Sequence, residues 1–388
     1  MYGDDIGALN LTVDYQDCHR LGINISPAHL TAENVTQYIL PDSLVQLPET
    51  GTGTGEASDL TFSWSNEPSF SFTVLRKSTG DVLFSTVGSV LVYENQFIEF
   101  VSVLPPNYNL YGLGERIHGL RLGNNFTATF YAADVGDPVD TNLYGTHPFY
   151  LDTRYYEVDA TNGNLTLITA ANVSTDANYV SYSHGVYLRN SHGLEVLLAP
   201  ESITWRALGG SIDLYFFDGP TPGDVTQQYT SGAVGLPAMQ QYWTFGFHQC
   251  RWGYKNWSMV EDVVNNFAAF GLHLETVWND IGKCSGPHRN DLGLRTSDYM
   301  FQYRDFTNDP NTFGYAEGAA FLEKLHANNQ HYVTIVDAAV YIPDPTNATD
   351  AYAPYTVGHA LDTFLKNPDG TEYIGEVWPG YTVFPGEL

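Results

Sequence analysis

Aromatic rings lie beside charged or hydrogen-bonding groups at three places in the second half of the sequence. These places are the segments 248–254, 278–281 and 336–341, whose rings include Trp252, Trp278 and Tyr341. Sugar-binding proteins stack an aromatic ring on the apolar face of a pyranose, and their carboxylates accept hydrogen bonds from its hydroxyls. The three segments therefore predict a site for a saccharide.

The elements around these segments predict a parallel βα architecture. The apolar run Tyr242–Phe247 is typical of a strand buried on both faces, and Leu274–Trp278 and His331–Val336 are the next predicted strands. Helices are predicted between them, one starting at the capping box Ser258–Glu261 and one over Tyr315–Ala327. This is the order of a (β/α)8 TIM barrel, whose functional side chains lie at the carboxyl ends of its strands. About three of the eight units fit in the chain, so we predict a truncated barrel.

The first 235 residues predict a separate, all-β domain of the sandwich type. Short alternating segments occur at Leu9–Tyr15, Asp59–Trp64, Ser69–Leu75, Val90–Tyr93 and Asp213–Phe217, and Ser78–Asp81 is a predicted hairpin turn. We therefore predict two domains, a β-sandwich over residues 1–235 and an incomplete barrel over residues 236–388.

The charge balance restricts the possible partners. The chain has 388 residues, with 44 Asp and Glu against 16 Lys and Arg, and its formal net charge is −28. This charge repels the phosphates of nucleic acids and anionic lipids, so we expect neither nucleic acid nor membrane as a partner. Protonation of carboxylates at acid pH reduces the self-repulsion, which favours an acidic extracellular or vacuolar environment.

Potential glycosylation sites also favour secretion. Eight Asn-X-Ser/Thr sequons are present, at Asn10, Asn24, Asn34, Asn125, Asn164, Asn172, Asn256 and Asn347. The amino terminus has no pattern typical of a signal peptide. We expect the natural start of a secreted protein to lie upstream.

Four motifs in this order resemble glycoside hydrolase family 31, most closely its fungal secreted α-glucosidases. They are the segments 110–116 (LYGLGER), 142–149 (NLYGTHPF), 243–248 (WTFGFH) and 377–380 (VWPG). The resemblance covers essentially the whole chain. It implies a galactose-mutarotase-like β-sandwich followed by a (β/α)8 barrel, a retaining mechanism, and neither cofactor nor metal.

The resemblance also implies roles for individual residues. Asp280 matches the aspartate that binds hydroxyls of the non-reducing glucose, Trp252, Ile281 and Val340 match pocket walls, and Asp134 matches a residue that reaches the site from the first domain. Each has an alternative structural role: an aspartate at a strand end can cap a helix or form an ion pair, a loop aspartate can form a turn, and a tryptophan can be core.

The residues that cleave the glycosidic bond are expected outside the chain. A retaining glycosidase needs a nucleophile and an acid/base with carboxyl groups about 5 Å apart. The resemblance places both on later strands, downstream of Leu388, and Asp337 lies on the wrong strand for the nucleophile. We therefore expect no catalytic residue here, and a chain that is inactive alone.

One segment interrupts the family pattern. The pattern continues directly after Ile281, whereas here Gly282–Ser297 intervenes, with basic residues in an acidic protein. Gly282–Cys284 can be encoded by a splice-donor-like GTAAGT, and the codons after Pro385 can also resemble a donor. We predict that Gly282–Ser297 is a foreign insert, an intron translated in frame.

Two alternatives remain for this region. Cys284 and His288 are possible metal ligands together with His248 and Cys250, although their spacing is not that of known zinc motifs. The chain can also be one subunit of a proteolytically nicked enzyme, with the missing C-terminal part as a separate partner chain.

The expected function is that of an exo-acting α-glucosidase. Such an enzyme removes terminal α-linked glucose from maltose-like oligosaccharides through a covalent glucosyl-enzyme, with retention of configuration. An α-xylosidase of the same family, with a different pocket around C6 of the sugar, is the first alternative. A non-catalytic carbohydrate-binding fragment is the second.

Overall fold

The computed structural model describes residues 5–32, 34–39, 51–133, 135–169, 176–280, 299–377 and 379–386. Asp134, Ile281, Asn172 and the predicted insert Gly282–Ser297 lie outside the described residues. The chain divides into two compact units, Met1–Pro237 and Ala238–Leu388.

The described residues of the first unit form strands β1 to β15 and one α-helix, α1, which spans Pro222–Tyr229. In chain order the strands are Leu9–Tyr15, Arg20–Pro27, Leu60–Ser65, Ser71–Arg76, Val82–Ser85, Val92–Glu94, Phe97–Val103, Leu110–Gly112, Phe126–Phe130, Phe149–Val158, Leu165–Leu167, Asn178–Leu188, Leu194–Ala199, Ser202–Ala207 and Ile212–Phe217.

These strands pair into three antiparallel sheets. The first has the order β1-β2-β15-β12-β10-β11, with β8 also paired to β10, the second has the order β6-β7-β14-β13-β9, and the third is β3-β4-β5. The predicted turn Ser78–Asp81 joins β4 to β5, and Gly80 in it has a φ of 75°, a conformation that glycine adopts at little cost. The first unit is therefore mostly β-sheet, as its alternating sequence predicts.

One apolar core joins the three sheets. It contains Ile23 of β2, Phe84 of β5, Phe100 of β7 and Trp205 of β14. The ring of Phe84 lies 5.4 Å from that of Phe216, and the Trp205 ring lies 6.3 Å from that of Phe100. Alternate residues of β7 point into this core, which is the arrangement that period-two sequences favour.

A glycine allows helix α1 to approach the first sheet. A Cβ atom on Gly185 of β12 would lie 2.7 Å from Phe149 Cε2 and 2.7 Å from Val225 Cγ1 of α1. No real Cβ contact is that short, so only glycine fits between these side chains. Asp224 and Thr221 form a capping box at the start of the helix.

The second unit begins with a parallel sheet. Its elements are β16 (His248–Gln249), α2 (Trp257–Ala269), β17 (Thr276–Trp278), α3 (Tyr315–Ala327) and β18 (His331–Val333). The strand order is β16-β17-β18, and both pairings are parallel.

An apolar core and a small antiparallel sheet complete the second unit. Val277 of β17 packs in one core with Val260 of α2 and Phe321 of α3. The chain then forms β19 (Val340–Tyr341), α4 (Ala353–Ala360), β20 (Gly375–Val377) and β21 (Gly380–Val383), and the sheet order is β19-β21-β20.

The predicted strand Tyr242–Phe247 is wrong. Tyr242–Phe245 form a 3₁₀ turn instead, and the Tyr242 side chain is 92% exposed. The Thr244 hydroxyl donates to the Gln241 carbonyl at 2.7 Å, so the backbone turns locally before β16 begins.

The predicted cap of the first helix is also wrong. Asn256, rather than Ser258, caps α2, and its Oδ1 accepts a hydrogen bond from the Met259 N–H at 2.9 Å. This earlier start places Trp257 in the helix, where its buried indole donates to the Gly314 carbonyl at 3.0 Å.

Among the described residues, no helix combines the length and the apolar character needed to span a membrane.

Replacement of Trp205 by alanine is expected to lower the free energy of unfolding by about 3–5 kcal/mol, because it leaves a cavity in the shared core. Trp205 is fully buried, whereas Trp64 is 56% exposed, so Trp64→Ala is the matched control, with an expected loss of less than about 1 kcal/mol. Urea unfolding of the chain, followed by far-ultraviolet circular dichroism, measures both. An equal fall in the free energy of unfolding in the two variants would contradict the burial of Trp205 in this core.

Candidate saccharide-binding site

The parallel register brings three strand ends to one edge of the sheet. His248 lies opposite Thr276, and Trp278 lies opposite Val333. Neighbouring strands are about 4.8 Å apart, so the segments that follow β16, β17 and β18 leave the sheet side by side. The predicted site segments are those that follow these strands.

Trp278 and Asp280 lie at the end of β17. Trp278 is 40% exposed, and its indole Nε1 donates a hydrogen bond to His248 Nδ1 at 3.0 Å. Asp280 is half-buried two residues later, after the buried Asn279. The carboxylate and the indole therefore belong to the same short segment at the end of β17.

The loop after β16 leaves Trp252 in solvent. The buried Tyr254 anchors this loop: Gln249 Nε2 donates to its hydroxyl at 3.4 Å, and the Arg251 guanidinium lies 5.2 Å from its ring centre. Trp252 itself is 52% exposed. The alternative role of Trp252 as a core residue therefore does not hold, and its ring is accessible for stacking.

The loop after β18 is held by the segment 299–305. The Tyr299 hydroxyl donates to the Ile335 carbonyl at 3.0 Å and accepts from the Ile335 N–H at 3.0 Å. Asp305 Oδ1 accepts from the Asp337 N–H at 3.0 Å, and the Tyr352 hydroxyl donates to the Asp305 carbonyl at 3.0 Å. These bonds fix the loop that begins at the end of β18.

Burial changes the protonation of the two aspartates in this loop region. The pKa of Asp305 is raised to about 6, mainly by burial and also by the negative charge of Asp337, whereas the hydrogen bond from the Asp337 N–H lowers it. Burial also raises the pKa of Asp337. Both side chains therefore favour the neutral form more than an exposed aspartate does.

A cluster of Arg304, Tyr341 and Asp350 beyond this loop was not predicted from the sequence. Arg304 donates to Asp350 Oδ1 at 2.6 Å, and its guanidinium lies 3.8 Å from the ring centre of Tyr341. The Tyr341 hydroxyl donates to the other oxygen of Asp350 at 3.0 Å. Arg304 lies 46 residues before Asp350, so no local pattern indicates this cluster.

The structure does not bring all predicted residues to the strand ends. Val340 is 8% exposed and packs with Tyr352, Phe364 and Val383 in a small apolar core. Asp134 and Ile281 lie outside the described residues. Trp252 and Asp280 are thus the predicted site residues that the structure places at neighbouring strand ends.

A metal site has no support in the part of the chain that the structure describes. No group of three or more His, Cys, Asp or Glu side chains there could hold a metal ion. Cys284 and His288 of the alternative metal site lie outside the described residues. Cys18 and Cys250 are both exposed with free thiols.

Comparison with known proteins identifies the family. Residues 237–386 match the family model described as "Glycosyl hydrolases family 31 TIM-barrel domain". An "Alpha-glucosidase" of Aspergillus niger is 56% identical over 386 residues, which are 99% of this chain and 38% of that relative. Residues 237–386 therefore belong to a domain of glycoside hydrolase family 31. The resemblance stated from the sequence motifs is therefore confirmed.

Two further relatives are covered to a similar extent. An "Alpha-glucosidase" of Aspergillus oryzae is 55% identical over 99% of the chain, and "Glucoamylase 1" of Candida albicans is 48% identical over all of it. The chain spans 37–38% of the length of these relatives.

A solved structure, that of a glucosidase II α subunit, shares the fold. The glucosidase II α subunit superposes with a TM-score of 0.72 at 17% identity, covering 97% of this chain and 44% of that one. At this identity the likeness concerns the fold alone.

Replacement of Asp305 by asparagine is expected to change how stability depends on pH. The folded-state pKa of about 6 lies above the unfolded value of about 3.9. The contribution of Asp305 to stability is therefore fully present below about pH 4 and is lost as the pH rises through 6. Between pH 4 and pH 7 the free energy of unfolding of the unsubstituted protein should fall by about 2 kcal/mol because of this titration. The Asp305→Asn variant should not show this fall, because its side chain does not ionise.

Denaturant unfolding at several pH values between 4 and 7 measures this difference. Asp262→Asn, on the exposed side of α2, is the control and should follow the unsubstituted protein. Parallel pH profiles for Asp305→Asn and the unsubstituted protein would show that Asp305 titrates as an exposed carboxyl.

Proposed function

We propose that this chain supplies the glucose-binding part of a retaining exo-α-glucosidase that acts on maltose-like oligosaccharides. The observation that carries the proposal is that the exposed Trp252 ring and the half-buried Asp280 lie in the segments that follow two neighbouring parallel strands. The 56% identity to an "Alpha-glucosidase" of Aspergillus niger supports the choice of glucose.

Each side chain has a proposed role in this site. Asp280 accepts hydrogen bonds from hydroxyls of the terminal glucose, and Trp252 stacks on an apolar face of the sugar. Ile281, Val340 and Asp134 are proposed as further contacts, as the family resemblance implies. For Val340, this role requires that its small apolar core borders the sugar.

The finer architecture is part of the same proposal. We infer that β16 to β18, with α2 and α3, are the first part of a (β/α)8 barrel, because two parallel pairings and two intervening helices follow the order of that fold. The first unit would correspond to a galactose-mutarotase-like sandwich. The family 31 barrel description for residues 237–386 supports the first inference.

Cleavage is assigned to residues outside this chain. The nucleophile and the acid/base are proposed downstream of Leu388, either in the same polypeptide or in a separate chain that carries the missing C-terminal part. The chain alone would then bind an oligosaccharide without hydrolysing it. The coverage of 38% of the first relative is consistent with this division.

Secretion and N-glycosylation of the protein are also proposed. The sequon asparagines Asn10, Asn125, Asn164, Asn256 and Asn347 are exposed. Asn24 lies on the inner strand β2 and hydrogen-bonds Asp213, so it is a poor acceptor for a glycan. Peptide mapping of protein from the culture medium should find glycans at the exposed sites and not at Asn24. Protein found only inside cells would contradict secretion.

Substitution at the proposed site should impair α-glucosidase activity of the full-length protein that carries this chain. Asp280→Asn removes a charged acceptor and is expected to lower kcat/KM for maltose about 100-fold. Trp252→Ala removes the stacking ring and is expected to lower it about tenfold. Initial rates of glucose release from maltose measure both.

Matched controls separate the site from general damage. Asp262→Asn and Trp64→Ala change the same residue types at exposed positions elsewhere and should keep kcat/KM within about twofold. Preference for an α-xyloside over maltose would identify the protein as an α-xylosidase. Saturable heat on titration of the full-length protein with maltose, without glucose release, would identify a non-catalytic binding protein.

A further inference from the structure

The imidazole of His248 has both nitrogen atoms engaged. Nε2 lies 3.1 Å from the Thr244 carbonyl oxygen, and Nδ1 lies 3.0 Å from the Trp278 indole nitrogen. A carbonyl oxygen only accepts hydrogen bonds, so Nε2 must carry a hydrogen. An indole N–H only donates, so Nδ1 must present a lone pair. The two contacts together fix the neutral tautomer with hydrogen on Nε2.

His248 also belongs to a row of four rings, which we name the ring ladder: His331, Trp243, His248 and Trp278. The Trp243 ring stacks on His331 at 3.9 Å with an interplanar angle of 6°, and its centre lies 6.0 Å from that of His248. The His248 and Trp278 rings meet edge to face at 5.6 Å. The ladder thus connects β16, β17 and β18.

The register places the ladder on one face of the sheet. His248 lies opposite Thr276, which lies opposite His331, and Trp278 follows two residues after Thr276. Side chains two residues apart in a strand point to the same face. Val277 points to the other face, where it packs against the helices. The ladder face is therefore the face turned away from α2 and α3.

We propose that His248 is a positioning residue, which holds the Trp278 indole as a wall of the saccharide site beside Asp280. This inference rests on the proposed function. Trp278 is 40% exposed and precedes by two residues Asp280, the carboxylate that is proposed to bind glucose. The hydrogen bond to Nδ1 removes the rotational freedom that an exposed indole otherwise has.

The inference includes a consequence for proton binding. A proton on Nδ1 would replace the lone pair that accepts the Trp278 N–H, so protonated His248 cannot hold the indole. Titratable groups near the ladder include Asp280, two residues after Trp278, and Glu275, whose Oε1 atom lies 4.0 Å from Nδ1 of His331. Sugar binding through Trp278 should therefore require neutral His248.

Two isosteric substitutions test this role in the full-length protein. In His248→Asn the Oδ1 atom can replace the Nδ1 acceptor, whereas in His248→Gln the side-chain amide replaces Nε2 and the acceptor for Trp278 is lost. We expect His248→Gln to raise KM for maltose about 3- to 10-fold with little change in kcat, and His248→Asn to stay near the unsubstituted value. A merely structural role would not separate the two variants in this order.

A double-mutant cycle shows whether His248 acts through Trp278. Trp278→Phe keeps a ring but removes the N–H, and it should raise KM as much as His248→Gln does. The double variant should be no worse than either single variant, because the same hydrogen bond is absent in all three. Additive effects, or an unchanged KM in His248→Gln, would overturn the inference.

Nuclear magnetic resonance provides a readout that does not depend on sugar binding. With ¹⁵N-labelled histidine and tryptophan, His248 should show hydrogen on Nε2 alone. The Trp278 indole resonance should shift in His248→Gln and be restored in His248→Asn. A hydrogen on Nδ1 overturns the inference even in an active enzyme. The protein could instead show the expected histidine and tryptophan signals but neither bind nor cleave maltose. That result would overturn the proposed function and the role of Trp278 as a wall, although the hydrogen bond itself would be established.

Discussion

Parallel hydrogen bonding between β16, β17 and β18 is the constraint on which the second unit depends, because its register decides which side chains share a face. With Thr276 opposite both His248 and His331, Val277 enters the helix-covered core and Trp278 takes the opposite face. A shift of one residue in β17 would exchange these two side chains. The indole would then be buried among apolar side chains, and the Nδ1 of His248 would lose its donor.

Register matters in the first unit for a different reason, which is buried charge. Asp152 of β10 lies opposite His184 of β12, and Arg154 Nε donates to Asp152 Oδ2 at 2.9 Å, with all three side chains buried. Burial and the positive charges of Arg154 and Arg76 lower the pKa of His184, so its imidazole stays neutral. Burying a charged group is costly, and burying it without its partner is costlier still. A slipped pairing of β10 and β12 would therefore be strongly disfavoured.

Local patterns in the sequence predict elements better than they predict the site. Period-two alternation gives β1 as Leu9–Tyr15, and helical spacing gives α3 as Tyr315–Ala327, both with the bounds found in the structure. The apolar run Tyr242–Phe247 misleads, because apolar character alone does not separate a buried strand from a turn with exposed rings. The contact between Asp305 and Asp337 spans 32 residues, and the Arg304 cluster is equally non-local. Such pairs follow from the fold and have no signal in sequence spacing.

The pair Asp305 and Asp337 also illustrates why nearby carboxyl groups are not sufficient for glycoside hydrolysis. A retaining mechanism needs one ionised carboxylate open to the anomeric carbon and one carboxyl open to the leaving oxygen. Asp305 is buried, and its Oδ1 already accepts the Asp337 N–H, so it has no access to a sugar. Its raised pKa follows from burial, and burial is what makes it a structural support for the loop after β18. Asp305 and Asp337 are therefore not such a pair, although both carboxyl groups lie in the loop region after β18.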